Sequence, residues 1–211
     1  MYVNGKPHRR TQQERRKETR AALLRAAREL FATQGFEATS TEQIVGTAQV
    51  TRGALYHHFQ DKRDLFRAVL EDLEHEIDAG IAALVENARP RNAEEGWELY
   101  IRAHLVYLDL TMRPDIRRIA LLEAPAVLGY EGWQAIDAAH ALAQHQQGLE
   151  NLMRLGLIRP LPPRATARLI HGALTEAALY VAHAPDPQSA RLEAETALRS
   201  LLGGLRLEVT V

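Results

Sequence analysis

Residues 51–62 read TRGALYHHFQDK, placing a hydroxyl, a guanidinium, a phenol, two imidazoles and an ammonium on one short segment. Three chemistries are open to such a set: metal ligation, acid–base catalysis, and hydrogen bonding to a polyanion. His57 and His58 are adjacent and would point about 100° apart on a helix, a poor start for a chelate, so no metal site is expected. No GxSxG, HExxH, Walker or dinucleotide motif occurs, and the carboxylate pairs fit solvated helical faces. An enzyme is therefore not expected, and no cofactor is implied.

Charge favours the third chemistry. Residues 1–67 carry 13 Lys/Arg and 7 Asp/Glu, a difference of +6, whereas the remainder carries 13 and 20, a difference of −7. The net charge of −1 hides this split. A basic N-terminal third on an acidic remainder suggests that only the first part meets a polyanion. Lys6, Arg9, Arg10, Arg15, Arg16, Lys17 and Arg20 bunch near the start. With no cysteine in 211 residues, thiolate and disulfide chemistry are excluded and a reducing cytoplasm is the expected setting. No apolar run approaches the roughly 20 residues that span a bilayer, so no membrane partner is expected.

The elements that must position residues 51–62 have helical periodicity, as does nearly all of the chain. The spacing predicts a first helix from about Gln12 to Thr33, stopped by Gly35. Ser40 and Gln43 fit a capping box for a second helix, and Thr51 caps a third that ends near Phe59. A fourth opens at Asp61 and runs until shortly before Pro90. Further helices are expected at about 94–112, 115–123, 131–155, 164–183 and 188–205, with Pro114, Pro125, Gly129 and Gly156 among the breaks. The expected fold class is all-α.

On a helical wheel the third helix turns Leu55 and Phe59 to the core and Gly53, Ala54, Tyr56 and His57 outward, with His58 at the buried edge. Helix, tight turn and short helix with an exposed N-terminus is helix-turn-helix geometry. Ordinary surface residues on a three-helix unit remain the alternative. Residues from about 17 to 77 resemble the DNA-binding domain of the TetR family of bacterial transcriptional regulators. The likeness rests on RAARELFATQGFEATS, on Ile44-Val45 with Ala48, and on VTRGALYHHFQDKRDLF, all in register. It implies phosphate contacts from Tyr56 and Lys62, a backbone contact from Thr41, and Arg52, Gly53, Ala54 and His57 nearest the base edges. Thr51 would cap the recognition helix and touch phosphate. Only Arg52 among these can make the bidentate guanine contact, so DNA shape should share in specificity. Two positions depart from the family pattern: Gln49 where glycine is usual, and Gly46 inside a helix where alanine is usual.

The resemblance divides the chain into a basic arm at 1–16, a helix-turn-helix domain at 17–77 and a helical effector-binding and dimerisation domain at 78–211. The arm would follow the backbone or enter the minor groove, or else remain a solvated tail. In the third part, Trp97, Tyr100, His104 and Leu108 share a helical face and suit either core packing or a pocket wall. Trp97, His104, Tyr107, Arg118 and Trp133 are the pocket candidates. His140 and His145, five apart, suit a surface or pocket edge. Leu169, Gly172, Ala173, Glu176, Leu198, Leu201 and Leu202 are candidates for a two-fold dimer interface, unless both stripes face inward in a monomer. The expectation is a homodimeric repressor that binds a palindromic double-stranded DNA operator and is released by a small-molecule effector, with the fourth helix as lever. An effector-independent or architectural DNA-binding protein is the alternative.

Overall fold

The computed structural model describes residues 11–207, so the Lys6, Arg9 and Arg10 part of the basic arm lies outside the described residues. The chain divides into two compact units, residues 1–69 and 70–211. Among the described residues no helix is long and apolar enough to cross a membrane.

In the first unit, α1 (Gln12–Gln34) starts at a capping box. Thr11 Oγ1 accepts from the Glu14 N–H at 3.2 Å, and Glu14 accepts from the Thr11 N–H at 2.7 Å. Gly35 ends the helix at φ 89°, where its N–H still reaches the Phe31 carbonyl. A second capping box, between Ser40 and Gln43, opens α2 (Thr41–Ala48). That helix closes on Gln49 at φ 55° and ψ 42°, the one non-glycine residue with positive φ among the described residues. Two bonds hold this turn: Gln49 N–H to the Gly46 carbonyl at 3.2 Å and Val50 N–H to the Val45 carbonyl at 3.0 Å. They form a Schellman closure, which offsets a left-handed cost of about 1–2 kcal/mol. Thr51 then caps α3 (Arg52–His58), its hydroxyl oxygen accepting from the Ala54 N–H. For α4 (Lys62–Asn87), Asp61 accepts from the Asp64 N–H at 2.7 Å while Asp64 accepts from the Gln60 N–H at 3.0 Å. Beneath these elements Phe31, Phe36 and Phe66 meet at ring separations of 5.2–5.7 Å, flanked by fully buried Leu23, Ile44 and Leu55.

The second unit continues α4 and adds α5 (Ala93–Thr111), α6 (Pro114–Ile116), α7 (Ala124–Leu128), α8 (Tyr130–Arg154), α9 (Pro163–His183) and α10 (Pro187–Gly203). A π-helical stretch, Arg117–Glu123, joins α6 to α7 without a break. The sequence reading ended this helix before Pro125; the structure carries it on to Leu128. Proline has no N–H, and its ring collides with the carbonyl four residues back in an α-helix. The wider π turn relieves that, and the Ala124 N–H reaches the Ile119 carbonyl. The helix stops instead at Gly129, φ 77°. One isolated antiparallel bridge, Ile158 with Arg206, is the only strand-like pairing among the described residues.

Candidate functional site

The cap at Thr51 and the buried anchors Leu55 and Phe59 fix which way α3 faces. Arg52, Gly53, Tyr56 and His57 are exposed and Ala54 is half-buried, so the outward set is the one drawn by the wheel. A Cβ on Gly53 would find only the Thr51 hydroxyl oxygen, at 4.0 Å, so nothing inside the fold requires glycine there. His58 is half-buried at the edge, and burial, then the charges of His57, Arg16 and Arg20, lower its pKa.

Arg52 is engaged within the unit. Its guanidinium lies 2.8 Å from Glu42 and 5.6 Å from the centre of the Tyr56 ring. Thr41 donates its hydroxyl to the same Glu42 carboxylate at 3.2 Å. The Glu42 backbone N–H, the Thr41 hydroxyl and Arg52 together hold that carboxyl below its ordinary range. The Arg52–Glu42 pair is solvent-exposed and hence weak, so a stronger anionic partner can displace Glu42.

Lys62, to which the resemblance gives a phosphate contact, is also tied into the fold. Its half-buried ammonium donates to the Phe36 carbonyl at 2.7 Å and the Thr39 carbonyl at 2.9 Å, and sits 4.1 Å from the centre of the Phe36 ring. Two of its three N–H groups are thereby spent on the connection between α1 and α2. Lys62 thus shapes the support of the face.

In the second unit, α4, α5, α8 and α9 line a cavity of about 700 Å³ that opens to solvent on one side. Ile77, Ile81, Leu99, Ala103, Leu152 and Leu174 supply much of its apolar wall. A polar cluster interrupts that wall. Glu74, Asp137, His104 and His171 are all at least nine-tenths buried. Burial, then the Asp137 and Asp78 charges, pushes the Glu74 carboxyl up to about 8, so near neutral pH it is largely a neutral acid. Burial and the neighbouring His104 and His171 press His145 down to about 3, leaving it a neutral imidazole. His104 is lowered by burial as well, although its Nδ1 lies 2.7 Å from the Tyr100 carbonyl.

Tyr107 belongs to this cluster. It lines the cavity, which accounts for its residual exposure, and its hydroxyl bonds with Thr175. Burial first, then the Asp137 and Glu74 carboxyls, raises its pKa well above the ordinary value. Thr175 also donates to Asp137 at 3.2 Å. Among the described residues, three buried side-chain polar atoms lack a hydrogen-bond partner: Tyr100 Oη, His104 Nε2 and His171 Nε2. His171 Nε2 does lie 3.1 Å from Asp137, but without the alignment of a hydrogen bond. Orphaned buried polar atoms are costly, and a ligand that bonds to them recovers that cost.

Residues 23–69 match the family model described as bacterial regulatory proteins, tetR family, and residues 97–205 match tetracyclin repressor-like, C-terminal domain. The chain belongs to the TetR family. A solved TetR-family transcriptional regulator from Pectobacterium atrosepticum is 37% identical and superposes with a TM-score of 0.82, covering 94% of this chain and 99% of that one. The Transposon Tn10 TetC protein of Escherichia coli is 26% identical over 80% of this chain and 83% of its own. The transcriptional regulator AcrR of Shigella flexneri is 48% identical, but only over 33% of this chain and 32% of its own. The protein is thus a helix-turn-helix transcriptional regulator, and TetR-family regulators are not enzymes.

In this TetR-family chain the pocket candidates separate. His104 and Tyr107 line the cavity, whereas Trp97, Arg118 and Trp133 do not. Trp97 is core, packed on Tyr100 and under the Arg206 guanidinium. Arg118 pairs with Glu123 at 3.1 Å along the π-helical stretch, and Trp133 is buried against Tyr130. The interface candidates separate as well. Leu169, Gly172, Glu176 and Leu201 are exposed and Ala173 is half-buried, but Leu198 and Leu202 are core. They continue the inward stripe Ala190–Ala194, four residues apart, while Leu192 and Leu201 occupy the outer face.

His140 and His145, expected at a surface or pocket edge, line the cavity, whereas Glu74, Asp137 and His171 are cavity residues outside the sequence-based candidates. A signal existed for Glu74: it interrupts the apolar stripe of Leu70, Leu73 and Ile77, where a charge needs a reason. Asp137 beside Ile136 and His171 beside Ile170 carry the same mark.

Proposed function

We propose that this regulator is a repressor, bound as a homodimer to a near-palindromic operator and released when a small molecule fills the cavity. Arg52, Gly53, Ala54 and His57 meet the base edges, Tyr56 and Thr51 touch phosphate, and Thr41 meets the backbone beside α2. The observation that carries the reading is the stance of α3, with Leu55 and Phe59 buried and Arg52, Gly53, Tyr56 and His57 outward. The outer faces of α9 and α10 favour self-association, since Leu169 and Leu201 are 75% and 65% exposed. A two-fold dimer sets two recognition helices about 34–36 Å apart, one turn of duplex.

The effector has an apolar body and an end that hydrogen-bonds, to suit the aliphatic wall and the orphaned Tyr100, His104 and His171 atoms. Glu74, Ile77 and Ile81 on the wall belong to α4, whose first residues, from Lys62, belong to the first unit. An effector acts through α4 to the extent that it binds the DNA-incompetent state better. Driving the population from 1:99 to 99:1 takes roughly 5.5 kcal/mol of such preference.

Selection of bound sequences from random DNA, followed by a compound screen on the complex, tests the whole reading. The expected result is a palindromic site bound by a particle of twice 23.6 kDa, and a compound that raises the melting temperature while releasing DNA. A persistent monomer, or a site without two-fold symmetry, contradicts the dimer. A cavity that accepts no compound leaves the effector-independent alternative standing.

A further inference from the structure

We propose that His75, Asp78 and His140 form a binding site for a divalent transition-metal ion of the zinc class. His75 and Asp78 stand three apart on α4, on one face of the helix, and His140 reaches them from α8. One donor atom from each residue lies within 4.8 Å of the other two. His140 Nδ1 is 2.7 Å from Asp78 Oδ2, and the two imidazole rings meet edge-on with centroids 4.6 Å apart. Donors on one tetrahedral ion, at about 2.0–2.2 Å each, are roughly 3.3–3.5 Å apart, so small side-chain rotations close the set. His75 is exposed and has room to make that rotation.

The carboxylate is already oriented. Gln144 Nε2 donates to Asp78 Oδ1 at 3.0 Å, leaving Oδ2 to face His140, the outer-shell support that metal ligands commonly have. Two imidazoles and one carboxylate suit zinc, cobalt or nickel better than the oxygen-seeking magnesium and calcium, and no thiolate exists in the chain to favour copper(I). A metal ion takes the place of the direct contact between His140 Nδ1 and Asp78 Oδ2. Three protein ligands leave at least one position to water, which is the pattern of an exchangeable ion and not of a closed structural centre. Asp78 and His140 also line the cavity, so a bound ion adds positive charge to its wall. The site stands apart from the effector reading, because its test needs neither DNA nor an organic ligand.

Tag-free full-length protein, stripped with a chelator and dialysed, is titrated with Zn²⁺ by calorimetry and with Co²⁺ by visible absorption. The expected result is one ion per chain with the d–d bands of a nitrogen- and oxygen-ligated centre. His75→Ala and His140→Ala each lower affinity roughly tenfold or more, while His57→Ala leaves it unchanged. With nine histidines in the chain, only such site-specific loss identifies the centre. His75→Ala removes an exposed side chain, so its circular dichroism should match the parent's even if the His140 variant folds poorly. No uptake at micromolar metal, or uptake that folded His75→Ala retains undiminished, overturns the proposal.

Discussion

Two glutamates show how differently the two units use charge. Glu42, beside the recognition helix, is exposed, and its pKa is lowered by the Glu42 N–H, Thr41 and Arg52. Glu74, in the cavity wall, is buried and is pushed up to about 8. The first unit holds its chemistry outside, on rigid support, where long-range charge attracts a polyanion and water is displaced only on contact. The second holds its chemistry inside, where desolvation has already been imposed and three side-chain atoms are left without hydrogen-bond partners. The exposed site depends on its scaffold for orientation; the buried one depends on its protonation states.

The largest expected effect removes the scaffold while leaving the outward face untouched. Phe31→Ala should cost about 3–5 kcal/mol by denaturant unfolding, and DNA binding should weaken although every exposed residue is unchanged. Unaltered stability would mean that the aromatic trio does not orient α3.

The second variant targets the buried side. Glu74 carries its extra proton in the folded state between its ordinary value of 4.5 and about 8, so its contribution to stability declines as pH rises through that window. His145, with its pKa lowered from 6.5 to about 3, acts oppositely, and stability falls as pH drops below 6.5. Glu74→Gln should therefore stabilise by on the order of 2–3 kcal/mol near pH 8 and flatten the alkaline limb of melting temperature against pH, leaving the acid limb in place. An unchanged alkaline limb would show that Glu74 is not held as a neutral acid.

Lys62 sharpens the line between support and contact. Lys62→Met keeps the stem but loses two carbonyl bonds, so about 1–2 kcal/mol of stability should go. The salt dependence of DNA binding should hardly change. A slope of log affinity against log salt that becomes shallower by nearly one would restore Lys62 to the phosphate contacts. The smallest effect is Gly46→Ala. A Cβ there meets nothing within 4 Å, and about 0.5–1 kcal/mol of added stability is expected from thermal melts.

The helix-turn-helix was legible because its determinants are local. Caps at Ser40 and Thr51, the stop at Gly35 and the Leu55–Phe59 pair each act within a few residues, so spacing alone orients α3. Even the unusual Gln49 turn could be anticipated from one position. The cavity was hardly legible, because it is built from side chains as far apart as Glu74 and His171. Trp97 and Trp133 suit a pocket wall and a core equally well by type, and in the fold both are core. That Leu198 and Leu202 lie in the core and not at a free surface was hidden for a related reason, since a helix with apolar residues on two faces does not reveal which face is inward. The structural part played by Lys62 was not legible either, for its fold partners, the Phe36 and Thr39 carbonyls, carry no side-chain signal in the sequence.

The central claim is that the outward face of α3 reads DNA, and Arg52→Ala tests it most directly. Arg52 is exposed, so the fold should be unaffected, and fluorescence anisotropy can compare a selected operator with unrelated duplex at several salt concentrations. The account predicts a loss on the operator of about 1–3 kcal/mol, roughly ten- to a hundredfold, with a much smaller loss on unrelated DNA. Equal losses on both duplexes, or operator binding that neither salt nor this substitution alters, would contradict it.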